Sequence, residues 1–288
     1  MIQILLIGAN GQLGREIRDL APMFPDFKFL YAGSADLDIT NQSAVHKFFS
    51  ENKFDYVINC AAYTAVDQAE KDREAAWLLN AKAPGILAEN CFKYNARFIH
   101  ISTDYVFNGK NFRPYLENDE VSPVSFYGKT KMEGEQAVFN TKCDAMIIRT
   151  SWLYSNYGDN FVKTMIRLGK EQDELGVVFD QVGSPTYAYD LASTILQIIS
   201  KCENKEKQFL PGIYHYSNEG VCSWYDFTLA IHEMAGIECD VRPIESREYP
   251  VQAPRPCYCV LNKSKIKVTF GVQIPHWRVS LKKCMDKH

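Results

Sequence analysis

Tyr127 and Lys131 stand four residues apart in the run Tyr127-Gly128-Lys129-Thr130-Lys131, with Ser102-Thr103-Asp104 upstream. Helix positions i and i+4 are neighbours, so the spacing sets a phenol beside an ammonium. A free phenol titrates near pH 10 and is a poor acid at neutrality. A cation about 4 Å away, at an effective dielectric of about 20, favours the phenolate by about 4 kcal/mol before desolvation is subtracted. A tyrosine so poised can give a proton to a carbonyl oxygen while hydride attacks the carbon. Such pairs are common on helices by chance, and this one gains meaning only from the elements that position it.

Residues 1–7 form a short apolar run rich in β-formers and read as a buried parallel strand. Gly8-Ala9-Asn10-Gly11-Gln12-Leu13-Gly14 follows at once, and residues 15–20 read as helix. Strand, glycine-rich turn and helix together bring free N–H groups and a positive dipole end to a pyrophosphate. The spacing is Gly-x-x-Gly-x-x-Gly rather than Gly-x-Gly-x-x-Gly. Its place between a first strand and a first helix favours nucleotide binding over a plain turn. Further strands are expected at 27–32, 56–60, 98–102 and 145–150, and helices at 41–51, 73–94 (interrupted at Pro84) and 125–140. This alternation predicts an α/β fold with a doubly wound parallel sheet. Later helices are expected at 161–170, 189–201 and 224–235. A dinucleotide-binding domain is expected over 1–150, rejoined by segments near 187–217, with 151–288 mainly binding substrate.

The chain has 288 residues and a formal charge of −3, which leaves no basic footprint for nucleic acid. No apolar run is long enough to span a membrane, and the first residues enter a strand without a charged leader. The nine cysteines are odd in number and scattered, which reads as reduced thiols in a cytoplasmic protein. Cys257-Tyr258-Cys259 is too closely spaced for a zinc ribbon and lacks a matching pair, so no metal is expected. A homodimer is the default assembly.

The glycine spacing, Thr103, and Tyr127 with Lys131 together resemble the extended short-chain dehydrogenase/reductase family, whose fold is of Rossmann type. Residues 59–67 resemble that family's strand-end segment beside the cofactor. The segments 102–107, 149–154 and 180–186, Arg255-Pro256, Leu261-Asn262 and Pro275-His276-Trp277 are similar to the family of dTDP-4-dehydrorhamnose reductases, over nearly the whole chain. The resemblance implies reduction of the C4 keto group of a nucleotide sugar, dTDP-4-dehydro-L-rhamnose. Thr103, Tyr127 and Lys131 would be catalytic. Tyr127 would donate the proton, Lys131 would lower its pKa and hold the nicotinamide ribose, and Thr103 would bond the substrate oxygen or Tyr127. Gly8, Asn10, Gly11, Gln12, Leu13, Gly14, Ala61, Ala62 and Tyr63 would hold the cofactor with Tyr127 and Lys131, and Asp38 and Ile39 would lie beside its adenine. Thr103, Asp104, Tyr105 and Trp152 would touch the sugar, and Arg255 the diphosphate. Asp180, Gln181 and the turn to Thr186 would lie near the nucleotide, and Asn80 would be a structural or relay asparagine. Blander roles stand beside these: a core tryptophan for Trp152, a surface ion pair for Arg255, a helix-surface asparagine for Asn80.

An acid at the end of the second strand normally holds the ribose hydroxyls of NAD. Here Tyr31-Ala32-Gly33-Ser34 carries none, yet no arginine stands at that turn to meet a 2′-phosphate, Arg15 being nearest in sequence. NADPH is therefore expected, with NADH tolerated. Two rivals remain. An epimerase or dehydratase would share Tyr127 and Lys131, although Asp104-Tyr105 does not supply the Asp-Glu pair of the dehydratases. A non-catalytic nucleotide-binding subunit, as in methionine adenosyltransferase assemblies, would not need the intact Thr103, Tyr127 and Lys131.

Overall fold

The structure is a computed structural model and describes residues 1–287. The first half alternates as β1 (Ile2–Ile7), α1 (Gln12–Leu20), β2 (Phe27–Ala32), α2 (Gln42–Glu51), β3 (Tyr56–Asn59), α3 (Val66–Ala69), α4 (Arg73–Trp77), α5 (Ala83–Lys93), β4 (Arg97–Thr103), α6 (Phe126–Phe139) and β5 (Ala145–Thr150). The second half holds β6 (Leu153–Tyr154), α7 (Phe161–Glu171), β7 (Glu174–Val178), β8 (Val182–Gly183), β9 (Thr186–Tyr187), α8 (Ala188–Glu203), β10 (Gly212–His215), β11 (Cys222–Ser223), α9 (Trp224–Ala235), β12 (Asp240–Ile244), α10 (Ser264–Phe270) and α11 (Trp277–Met285).

The main sheet runs β2-β1-β3-β4-β5-β10, with every pairing parallel. Both faces are covered, which is why β3 and β5 are buried at every residue and read as apolar runs up to the polar Asn59 and Arg149-Thr150 at their carboxyl ends. On one face Leu13, Ile17, Ile195, Ile199 and Phe270 from α1, α8 and α10 pack together. On the other, Val45, Phe49, Leu87 and Val138 from α2, α5 and α6 do so. The chain leaves β1 toward β2 and returns to its other side as β3. The two crossovers diverge there and open a crevice at the carboxyl ends of the strands.

The region expected as one helix over 73–94 is three pieces. A π-helical turn, Leu78–Lys82, separates α4 from α5. Pro84 lies in the first turn of α5 and has no N–H for the carbonyl of Asn80, four residues back. The wide turn absorbs that missing bond and packs the Asn80 carbonyl against Gly134 of α6.

The smaller unit is built from three two-stranded pairs, β6 with β9, β7 with β12 and β8 with β11. Tyr154, Val162, Phe227, Ile231 and Leu281 form its core with α7, α9 and α11. β10 returns from this half to pair with β5, and α8 packs on α1.

Candidate active site

Two cavities share the crevice and meet at Gly11, Cys60 and Ala62. One, of about 580 Å³, is lined by Gly8, Asn10, Gly33, Ser34, Asp38, Ile39, Ala61 and Ala62. The other, of about 540 Å³, is lined by Gln12, Leu13, Gly14, Thr103, Asp104, Tyr105, Tyr127, Lys131 and Trp152. Gly8 has φ +75°, and a Cβ there would stand 2.6 Å from Ala61 N. A Cβ on Gly14 would run into the Gly8 carbonyl, so α1 and the loop approach closely only because both positions lack side chains. Gly11 caps α1 with no side-chain hydrogen bond, and the first turn holds no acid. Its leading N–H groups face the crevice without a side-chain partner, as a bound diphosphate requires. The residues present therefore fit a dinucleotide.

Thr103 ends β4, and Tyr127 and Lys131 lie one turn apart on α6, which starts at a Ser125 cap accepting Gly128 N–H at 3.2 Å. Lys131 is 1% exposed and its Nζ donates to Ile101 O at 2.8 Å, with His100 Nε2 at 3.5 Å. Burial pushes the ammonium down to about 8, against the opposing pull of Glu135. Burial also pushes the Tyr127 phenol up to about 12, the Thr103 hydroxyl partly offsetting it. The expectation that Lys131 lowers the Tyr127 pKa is therefore corrected for the cofactor-free protein. The cation is held by a backbone carbonyl, desolvation dominates, and the phenol stays protonated at neutral pH.

Ser102, the neighbour of Thr103, donates to Glu135 Oε1. Glu135 is also held by Arg149 in a bidentate pair of 2.9 and 2.7 Å, with both side chains buried. Thr103 Oγ1 donates to Asp104 Oδ1 at 2.9 Å and accepts Tyr105 N–H at 3.2 Å. Asp104 is 2% exposed and its Oδ2 has no hydrogen-bond partner. Burial pushes its carboxyl up to about 6. Tyr105 packs edge-on to Tyr127 at 5.7 Å.

Trp152 is half-buried at φ +47° and lies 3.5 Å from Trp224, nearly parallel. Trp224 also lines the cavity and was not singled out in sequence; it opens α9 with no chemical spacing to mark it. Asn160, the cap of α7, was missed likewise and donates to Gln12 Oε1 at 3.1 Å. Cys60 lines both cavities beside Lys131, with its thiol pushed up to about 12 by burial.

Other expected residues are engaged by partners of their own. Tyr63 does not line either cavity; its backbone is clasped by the Asn80 amide and its phenol bonds Asp72. Asn80 is fully buried rather than on the helix surface, and also donates to Thr130 Oγ1. Arg255 pairs with Asp67 at 2.7 Å and bonds Ala253 O, outside the cavity lining. Asp180 accepts from Ser246, and Gln181 reaches the site only through the Trp224 indole N–H at 3.2 Å. Asp38 accepts twice from Thr40, which holds its carboxyl below the usual range. An arginine does reach the turn after β2, and it is not Arg15, which lies over Tyr157. Arg18 comes from α1 and stands over Tyr31 at 5.0 Å.

Among the described residues there is no cluster of metal-ligating side chains, and no helix is long and apolar enough to cross a membrane. The model of the RmlD substrate binding domain family matches residues 2–288. A dTDP-4-dehydrorhamnose reductase of Aggregatibacter actinomycetemcomitans is 41% identical over 98% of both chains. The crystal structure of a Clostridium acetobutylicum dTDP-4-dehydrorhamnose reductase is 45% identical over 99% of both chains, with a TM-score of 0.94. That of the Bacillus anthracis dTDP-4-dehydrorhamnose reductase in complex with NADP is 39% identical over the full length of both, with a TM-score of 0.93. With its extended-reductase fold, its open glycine loop and this full-length match, the chain belongs to the RmlD substrate binding domain family.

Proposed function

We propose that the protein reduces the C4 keto group of dTDP-4-dehydro-L-rhamnose to give dTDP-L-rhamnose, using NADPH. The reading is carried by one observation: Thr103, Tyr127 and Lys131 sit together in a cavity that opens at Gly11 into the nucleotide-sized one. The relatives named for this activity support the choice of sugar nucleotide. We assign cofactor binding to residues 1–150 with the returning segment near 187–217, and substrate binding mainly to 151–288. Nine free thiols suit a reducing compartment, so we place the protein in the cytoplasm.

NADPH would be held by Gly8 to Gly14, Asp38, Ile39, Ala61 and Ala62, and supplies the hydride when bound. Thr103, turning its hydroxyl proton from Asp104 Oδ1, and Tyr127 would receive the substrate carbonyl oxygen between their hydroxyls. The Tyr127 phenol, protonated at neutral pH, gives its proton to that oxygen as negative charge develops on it, leaving an alcohol and a tyrosinate. The buried Lys131 ammonium, one turn away, offsets the tyrosinate charge, because it keeps N–H donors beyond the one held by Ile101 O. Trp152 walls the sugar side. Exclusion of water from Thr103, Tyr127 and Lys131, each under a tenth exposed, strengthens both effects.

Tyr127→Phe is expected to lower turnover by about 10²–10⁴-fold with NADPH affinity unchanged. Loss of absorbance at 340 nm with coupled upstream enzymes generating the substrate reads turnover. Activity within a factor of about two of the unmodified protein would refute Tyr127 as the acid.

A further inference from the structure

Cofactor choice was left without a cation in the sequence, and the fold supplies one from an unexpected element. Arg18 lies on α1, four residues past Gly14. Its Nη1 donates to Asn10 Oδ1 at 3.3 Å, and its guanidinium stands over the Tyr31 ring. Asn10 in turn lies tightly against Gly33, where an added Cβ would come within 2.6 Å of its amide nitrogen. Asn10, Gly33 and Ser34 line the cavity assigned to the adenosine half of the cofactor. The guanidinium is thus held beside that cavity by Asn10, which lines it, and by Tyr31, two residues before the lining Gly33. It makes no ion pair among the described residues, although ion pairs are numerous elsewhere on this surface. No acid stands at Tyr31 to Ser34 to clasp a pair of ribose hydroxyls. Of the nearby carboxylates, Asp36 accepts the Gly33 N–H at 2.8 Å as the turn's internal acceptor, and Asp38, which lines the cavity, accepts from Thr40.

We propose that Arg18 is the receptor for the 2′-phosphate and makes the protein select NADPH over NADH. The inference rests on the cofactor part of the proposed reaction and is independent of the sugar. An unpaired guanidinium offers several N–H donors in a planar fork that matches phosphate oxygens, and the Tyr31 face fixes its plane. Asp36 opposes the same phosphate through space, so the selection is the difference of the two charges rather than absolute.

Calorimetric titration compares two pairs of ligands that differ only by the 2′-phosphate: NADP⁺ with NAD⁺, and 2′,5′-ADP with 5′-AMP. Arg18→Gln is expected to weaken NADP⁺ and 2′,5′-ADP by about 10- to 100-fold, the value of a charge-assisted contact, and NAD⁺ and 5′-AMP by less than about threefold. Unchanged binding of the second pair shows that the variant is folded. Asp36→Asn, which keeps an oxygen for Gly33, is expected to tighten NADP⁺ binding relative to NAD⁺. Equal losses for both pairs in Arg18→Gln would make Arg18 a support of the glycine loop and overturn the inference. No preference for the 2′-phosphate in the unmodified protein would overturn it as well. Binding of neither dinucleotide would instead sink the cofactor reading itself.

Discussion

Asp104→Asn isolates the cost of holding a buried carboxylate in this site. In the folded protein the carboxyl is pushed from 3.8 up to about 6, chiefly by burial, while the nearby Cys259 thiol and the hydrogen bond from Thr103 only partly offset it. A folded-state pKa above the unfolded one means that the folded protein binds more protons between the two values. Stability at this site therefore falls as pH rises from about 4 to 6, and the whole penalty is present at pH 7. At about 1.4 kcal/mol per pH unit, the ionised carboxylate costs about 3 kcal/mol. The amide that replaces it cannot ionise, but it brings an N–H₂ group where Oδ2 has no partner, which costs about 1–3 kcal/mol at every pH. Net stability at pH 7 is thus a poor readout, and the pH slope is a clean one. Urea unfolding of both proteins between pH 4 and 7 should show the unmodified protein losing about 3 kcal/mol more than the variant across that interval. Groups shared by both, such as the neutral buried His100, cancel in the difference. Parallel pH profiles would refute the claim that Asp104 is held against its ionisation.

Lys131→Met tests the same physics with the opposite sign. The ammonium is pushed from 10.5 down to about 8, so the unmodified protein should gain up to about 3 kcal/mol over the variant as pH rises from about 8 to 10.5; parallel urea midpoints would contradict this. Arg149→Met leaves Glu135 as an unpaired buried charge and should cost about 3–5 kcal/mol of unfolding free energy. A loss below about 1 kcal/mol would show that water reaches the pair. Trp224→Ala removes the ring stacked on Trp152, and an aromatic pair is worth about 0.5–1.5 kcal/mol, so KM for the sugar nucleotide should rise roughly 2- to 10-fold with NADPH affinity unchanged. An unchanged KM would remove the stack from any role in the substrate wall.

Local signals were legible. β2 and β5 fall at 27–32 and 145–150 as the apolar runs require, α9 starts at the Ser223 capping box, and the glycine loop lies between β1 and α1. Pro84 marked a break but not its form, because the π turn before α5 also fits Asn80 against Gly134, far along the chain. The electrostatics of Lys131 failed for a similar reason. Spacing on α6 places the ammonium beside Tyr127 but says nothing of Ile101 O on β4, which takes it. Arg18 was not legible because the turn after β2 carries no cation of its own, while the fold delivers one from the neighbouring helix α1. Trp224 and Asn160 enter the site from the second half, whose short strands carry weak periodicity and whose docking on the crevice no local pattern encodes.

The return of β10 to the main sheet also sets a clock on biosynthesis. β5 ends at Thr150, and the strand that covers its outer edge begins only at Gly212. At about 5–20 residues per second, translation leaves that edge uncovered for roughly 3–12 s. During the wait β5 offers unpaired N–H and C=O groups on an apolar Ala-Met-Ile-Ile stretch, the kind of edge that recruits other nascent chains. A chain terminated before Gly212 never closes the edge. Such fragments are expected in the insoluble fraction of expressing cells, however well their glycine loop is formed.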